Sequence, residues 1–414
     1  MSPLEHGRTP IESAIASLSS DTLLKFLERQ RWFGLKGASG AAARVIDTIV
    51  VPWGRGAFAV TRVSVSTSSD TRTYQVPLAA RDTSPARTPE TAVVSRGEAG
   101  GKWVIVYDAL HDPDFVRGLL GALESGATVT SDAGTRIVFE RIGADPELGK
   151  DPTAALVAAE QSNSSLVVDD VAILKLFRTL NPGVHPDVEV ARFLTTRARF
   201  AHTPALLATI RLEHDGVPTV AGVMQEYLPG VVDAWSYALE RGRAYFAAPA
   251  NREGPNAFLE DATQLGIVTR ELHDALAGDD DDADFAPEAA LPEDLDRWAH
   301  RAQQSVRDAL ALLERQLSAA SFPRDHSAEA QALLKRREHY DGWINEIADI
   351  VGEDLGTRIR THGDYHLGQV LHTKSGDFSI IDFEGEPSRT LEERREKTSP
   401  LRDVAGMLRS FAYA

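Results

Sequence analysis

Between Ile359 and Glu386 the chain reads IRTHGDYHLGQVLHTKSGDFSIIDFEGE, where the side chains able to do chemistry concentrate. Two short apolar runs, Gln369 to Leu371 and Phe378 to Ile381, flank the turn-forming Lys374-Ser375-Gly376-Asp377, a pattern that predicts a β-hairpin. His362, Asp364, His366 and Gln369 gather on the loop leading into it, and Asp382 closes its second strand, so the hairpin folds the two ends together. Asp364 is a carboxylate that can accept a hydroxyl proton, with His366 beside it as a second catalytic candidate. The Gln369 amide oxygen and the Asp382 carboxylate are hard donors suited to Mg²⁺, whereas zinc would call for more imidazoles. These are the parts of phosphoryl transfer, whose loose transition state is stabilised by positioning and metal charge. His362 reads as a brace for the loop. Glu384 and Glu386 follow the metal aspartate closely enough for one of them to touch substrate hydroxyls or Mg²⁺, a solvated or structural role being the alternative.

The elements that must carry this hairpin fall into three stretches. The first third reads as β-rich, with runs at 45–51, 57–65, 74–78 and 103–107 behind a short helix at 21–31, and Thr83 to Gly101 reads as an exposed loop. In the middle, Leu166 to Val168 and Val171 to Phe177 straddle Asp169-Asp170 as a tight hairpin. Pro186-Asp187 then opens a helix running to about Arg199, and Val217 to Tyr227 is a further strand. After Ala234 apolar residues recur three and four apart through Asn256 to Ala277 and Glu293 to Leu317, the spacing of amphipathic helices. The acidic run Asp279 to Asp282 reads as solvated loop.

Composition narrows the field. The 44 basic and 61 acidic side chains leave a net charge of −17, which repels nucleic acid and anionic bilayers. No stretch is apolar enough to span a membrane, and Met1 to Pro10 lacks a signal-peptide pattern, so a cytoplasmic protein is expected. With no cysteine, thiolate metal sites and cysteine nucleophiles are excluded.

The string HGDYHLGQVL…IIDFEGEP, with SPLRDVAGMLRSFAYA beyond it, resembles the bacterial maltokinases of the aminoglycoside-phosphotransferase branch of the kinase-like superfamily. The Gln at 369, where most of the superfamily has Asn, is similar to theirs. EQSNSSLVVDDVAILKLFRTLNPGVHPDVEV resembles their phosphate-loop hairpin, and RQRWFGLKG, at Arg29 to Gly37, the opening of their cap domain. The resemblance implies an α+β, bilobal protein-kinase-like fold with an extra β-rich N-terminal cap: cap 1–105, ATP-binding N-lobe 106–228, helical C-lobe 229–414. It implies ATP and Mg²⁺ as cofactors and places Lys175 and Glu189 as the strand lysine and helix glutamate. Lys175, one ammonium in a run of apolar residues, needs anionic company on independent grounds. Ser162, Asn163 and Ser164 fall where a phosphate loop covers a triphosphate. Gln225, Glu226 and Tyr227 fall on the segment that offers backbone groups to adenine.

The implied reaction is phosphorylation of maltose to maltose 1-phosphate in α-glucan metabolism, with association with trehalose synthase. Glucosamine kinase, forming glucosamine 6-phosphate, is the close alternative. Maltokinases continue for several helices past the position of Ala414, so the resemblance also implies a fragment whose ATP and metal sites outlast its sugar selectivity, or an impaired enzyme.

Overall fold

A computed structural model describes residues 10–414 apart from 55, 86–87, 100, 145, 158–162, 248–253, 319–321 and 352–354. Helices α1 (Pro10–Ala16) and α2 (Ser20–Glu28) lead into strands β1 (Ala42–Val51), β2 (Ala57–Ser66), β3 (Thr71–Arg81), β4 (Val93–Ala99) and β5 (Lys102–Asp108). These strands form an antiparallel sheet in the order β1-β2-β3-β5-β4. The expected loop at Thr83 to Gly101 therefore contains β4, which buries Val93 and Val94 and pairs with β5. Strand β5 runs across the expected cap boundary at 105.

Helix α3 (Pro113–Ser125) starts on the Asp112 side chain, which accepts from Asp114 N–H. A seven-stranded sheet follows: β6 (Thr128–Thr130), β7 (Arg136–Arg141), β8 (Ala154–Leu156), β9 (Asn163–Val168), β10 (Ala172–Phe177), β11 (Leu206–His214) and β12 (Val217–Glu226), in the order β6-β7-β11-β12-β10-β9-β8. Asp169 and Asp170 have φ of 48° and 54°, the left-handed pair that a two-residue hairpin turn requires. Helix α4 (Pro186–Phe193) is shorter than expected, because Leu194–Ala198 widens into a π-turn that ends on Arg199 in the left-handed region.

The cap and the seven-stranded sheet share one core, and the cap keeps a second of its own around Phe26, Tyr74 and Leu78. Ile49, Val51, Phe58 and Tyr107 pack in the same buried cluster as Phe115, Leu119, Leu166, Leu174 and Met224. Their polar link is as direct. Arg178, 2 % exposed, donates to Asp108 Oδ2 at 2.6 Å and to Ser164 Oγ at 2.8 Å, and lies 4.7 Å from the ring centroid of Trp32. Gln75 N–H donates to the Arg178 carbonyl, and Leu180 N–H to that of Thr73.

Beyond β12 come β13 (Val232–Asp233), α5 (Ala234–Ala247), α6 (Gly254–Leu276), β14 (Glu288–Ala289), α7 (Pro292–Leu317), α8 (Ser327–Lys335), α9 (Arg337–Val351) and β15 (Thr357–Arg358). The hairpin expected around Lys374–Asp377 is β16 (Val370–His372) and β17 (Phe378–Ile380), followed by α10 (Leu391–Arg395) and α11 (Leu401–Tyr413). Two compact units result. Cap, nucleotide sheet, α5, α6 to Ala275 and the hairpin segment His362–Arg395 make one, together with Gly406–Ala414; Leu276–Thr361 and Glu396–Ala405 make the other. In the second unit buried Asp294 accepts from Leu291 N–H and pairs with Arg358 at 2.9 Å. No helix among the described residues is long and apolar enough to cross a membrane.

Candidate active site

The loop between Thr361 and β16 is braced from inside. His362, 1 % exposed, lies against Tyr365 and Phe383, and its Nε2 contacts the Ile381 carbonyl at 3.0 Å. Asp364 N–H points at its Nδ1, so the network fits a neutral ring with the proton on Nε2. Tyr365 O–H shares a 2.9 Å hydrogen bond with Thr269 of α6, and Leu367 N–H donates to Ser410 Oγ of α11. Gly406 lets α11 come close, since a Cβ there would sit 2.7 Å from the Tyr365 carbonyl oxygen.

Asp364 itself is left half-buried at the surface of this brace. His366 Nε2 stands 3.9 Å from its carboxylate, while His366 Nδ1 accepts from Gly368 N–H at 3.0 Å. That second bond fixes the imidazole as the cap of the turn Leu367–Gln369, a positioning task. Gln369 accepts from Ile381 N–H at 3.0 Å through its carbonyl, which sets it opposite the residue preceding Asp382. Asp382 is in the left-handed region, φ 68°, a conformation that costs a non-glycine residue roughly 1–3 kcal/mol and clusters at functional sites.

Next to Asp382 the structure brings Asp187, which in sequence is only the start of a helix. Asp187, 1 % exposed, accepts from Phe383 N–H at 2.9 Å. Carboxylate oxygens of Asp187, Asp382 and Glu384 lie within 4.8 Å of one another. At an effective dielectric near 20, two ionised groups at that separation repel by roughly 3–4 kcal/mol. Burial, then Asp382 and Asp187, push the Glu384 carboxyl up to about 7, against the opposing pull of Lys175 and Arg394. His185 stands at the N-cap of α4 without capping it, stacked on Phe177 at 4.6 Å. Burial lowers its basicity, and its Nδ1 is buried with no hydrogen-bond partner.

The upstream candidates divide by face. Lys175 pairs across β9 with Ser165, and Asn163 with Phe177, so these residues share one face of the sheet. Ser164 is on the other face, where its hydroxyl serves Arg178. Period-two alternation would have separated Ser164 from Ser165. Ser162 lies outside the described residues. Glu189 receives two bonds from Arg395, at 2.6 and 2.9 Å, and α4 is further fixed by Arg192 on Glu140. Gln225 is buried, and the N–H groups of Glu226 and Tyr227 donate to Ala205 and Val171, so neither amide is free to meet adenine. Glu386 is engaged by Arg389 and Ser388, apart from the carboxylate cluster.

An antiparallel nucleotide-type sheet carrying a lysine, a helix beside it, and a braced aspartate loop running into a carboxylate hairpin define a bilobal α+β kinase-like fold behind a β-rich cap. Residues 26–112 match the family model of the maltokinase N-terminal cap domain. The chain is 29 % identical over 259 residues to a glucosamine kinase of Mycolicibacterium smegmatis, covering 62 % of this chain and 58 % of that protein. It is 27 % identical over 263 residues to a glucosamine kinase of Streptacidiphilus jiangxiensis, covering 62 % and 53 %. The chain thus spans little more than half the length of these relatives. A solved glucosamine kinase in complex with glucosamine, ADP and inorganic phosphate shares the fold with a TM-score of 0.61 at 23 % identity, over 97 % of this chain and 79 % of that one. A second crystal form of a glucosamine kinase gives 0.60 at 22 %, over 98 % and 79 %.

Proposed function

We propose that this chain transfers phosphate from ATP to a sugar hydroxyl, and that the sugar is glucosamine. The observation that carries the choice of sugar is that both curated relatives described above are glucosamine kinases. Maltose, which the sequence resemblance put first, becomes the second reading, with the maltokinase-type cap match behind it.

In this reading Asp364 orients the acceptor hydroxyl and takes its proton, held in place by the His362 brace and by the ring of His366. Lys175 meets phosphate oxygens from the floor of the sheet. Gln369 and Asp382 hold Mg²⁺, and their hard oxygens fit that ion. The ion, when bound, neutralises charge on the transferring phosphate. Glu386, tied to Arg389, is the weaker of the two carboxylates suggested for substrate.

The test is an ADP-release assay with glucosamine, maltose, glucose and an aminoglycoside run side by side, with the phosphorylated position fixed by phosphorus NMR. Glucosamine should exceed maltose by at least roughly tenfold in kcat/KM, a difference of about 1.4 kcal/mol in transition-state binding. Turnover of maltose with glucosamine idle would return the acceptor to the second reading.

A further inference from the structure

Helix α3 carries two glycines, and they answer to different demands. A Cβ on Gly118 would sit 2.3 Å from Trp53, so packing requires that glycine. A Cβ on Gly121 would meet nothing within 4 Å. Glycine inside a helix is destabilising relative to alanine, and no close contact within the protein asks for it at 121. What Gly121 keeps is space. It lines a cavity of about 510 Å³ between α3, residues 146–152 and strands β7, β11 and β12.

Much of the lining is apolar. Leu120, Leu123, Leu148, Leu207 and Met224 belong to, or pack against, the core shared by the cap and the seven-stranded sheet. Met224 pairs with Leu174 across β12 and β10, and Val223 with Lys175, so the cavity and the lysine are on opposite faces of the sheet. The walls are held in place. Ile142 and Gly143 N–H donate to the Leu207 carbonyl, and Asp169 accepts from the N–H groups of Gly149 and Thr153 at 2.9 and 2.7 Å. The charged side chains on the lining, among the described residues, are Arg117, Arg141 and Lys150 against Glu124. Asp114 and Asp151, which pair with Arg117, do not line the cavity. In a chain of net charge −17, three cations to one acid is a local reversal of sign.

We propose that this cavity is a binding site for a small organic anion with an apolar body, of the aromatic carboxylate kind. The apolar lining takes the ring, and the basic lining takes the carboxylate. A neutral molecule of the same size forgoes the charge contacts and a cation meets like charge, so affinity should follow the sign of the head group. On the face away from Lys175, the occupant does not compete with a nucleotide for space. Neither the cavity nor its lining depends on the kinase reading.

The experiment titrates the full chain with naphthoate by calorimetry, beside naphthylmethanol and naphthylmethylammonium as neutral and cationic bodies of similar size. One naphthoate should bind per chain, raise the thermal unfolding midpoint, and bind at least roughly tenfold more tightly than the alcohol or the amine. Gly121→Leu improves the helix and sends its side chain into open space, so it should fold and weaken naphthoate by at least roughly tenfold. Lys150→Glu, at an exposed position outside the regular elements, should weaken it as much through charge alone. Lys36→Glu, an exposed cap lysine away from the lining, should bind naphthoate as the unaltered protein does. No saturable binding below about 1 mM, binding indifferent to the head group, undiminished binding by Gly121→Leu, or displacement of naphthoate by ADP would each overturn the site.

Discussion

Two ionic groups on this unit, one buried and one partly so, are built on opposite principles. Around Arg178 one cation meets one carboxylate, a hydroxyl and an aromatic face, so charge is balanced within the protein. Around Asp187 three carboxylates share a spot, and burial with the charges of Asp382 and Asp187 pushes the Glu384 carboxyl up against the pull of Lys175 and Arg394. Desolvating a charge is tolerated when its partner is in the fold, and is otherwise sustained for something that binds. The first arrangement therefore reads as architecture, and the second as a place where the fold gathers like charge.

The contrast is tested most severely at its balanced end. Arg178→Met strands Asp108 in the interior and should cost about 3–5 kcal/mol by chemical denaturation. A loss under 1 kcal/mol would mean that the anchor is not architectural. At the hairpin, Asp364→Asn should reduce turnover on the order of 100-fold or more while leaving denaturation curves and nucleotide affinity nearly unchanged. Retained turnover would remove Asp364 from the chemistry. Lys175→Met should lower nucleotide affinity, measured by calorimetry, with folding retained; unchanged affinity would return the lysine to a strand-edge role. The carboxylate cluster should respond with the opposite sign from Arg178. In chelator, Asp187→Asn removes one of three like charges and should stabilise the protein by about 1 kcal/mol, the worth of roughly one pKa unit.

The smallest effect probes the surroundings of Arg178. Burial holds His111 below its ordinary pKa, partly offset by Asp108 and reinforced by Arg178. Above the unfolded value of 6.5 both states carry a neutral ring and the residue contributes nothing to the pH dependence. As pH falls below that value the unfolded chain binds the proton more readily, so stability declines. Comparing denaturation of His111→Gln with the unaltered protein at pH 8 and pH 5.5 should show a shallower decline in the variant, and parallel curves would refute the assignment.

Much of the scaffold was legible because local chemistry and tertiary demand agree. Asp169-Asp170 specify a left-handed two-residue turn, and the Lys374–Asp377 turn specifies the catalytic hairpin. Strand β4 was not legible: after Val93 and Val94 it reads Ser-Arg-Gly-Glu-Ala, an edge strand held by pairing with β5 rather than by an apolar pattern of its own. The braced loop, with Asp364 beside His366 and Gln369 opposite the hairpin exit, follows from sequence order alone. Asp187 does not, since an acid in a helix's first turn is the commonest of features. Only the fold brings it to Phe383. Likewise Glu189 was read against Lys175, and its bidentate bond to Arg395 joins residues that no local pattern connects.

The shared core of cap and nucleotide sheet bears on how the protein comes apart. Tyr107, Phe58 and Val51 on one side and Leu174, Leu166 and Met224 on the other bury one another, so each sheet loses part of its interior when the other melts. Amide exchange should accordingly report one cooperative opening for the middles of β3, β5 and β10, with matched protection and matched denaturant sensitivity. The cap is recognisable as a separate module in sequence, yet in folding it and the lysine-bearing strand are a single foldon. Removing residues before Asp112 would expose the apolar underside of β9, β10 and β12, and the remaining chain would be expected to aggregate rather than persist as a smaller nucleotide-binding protein.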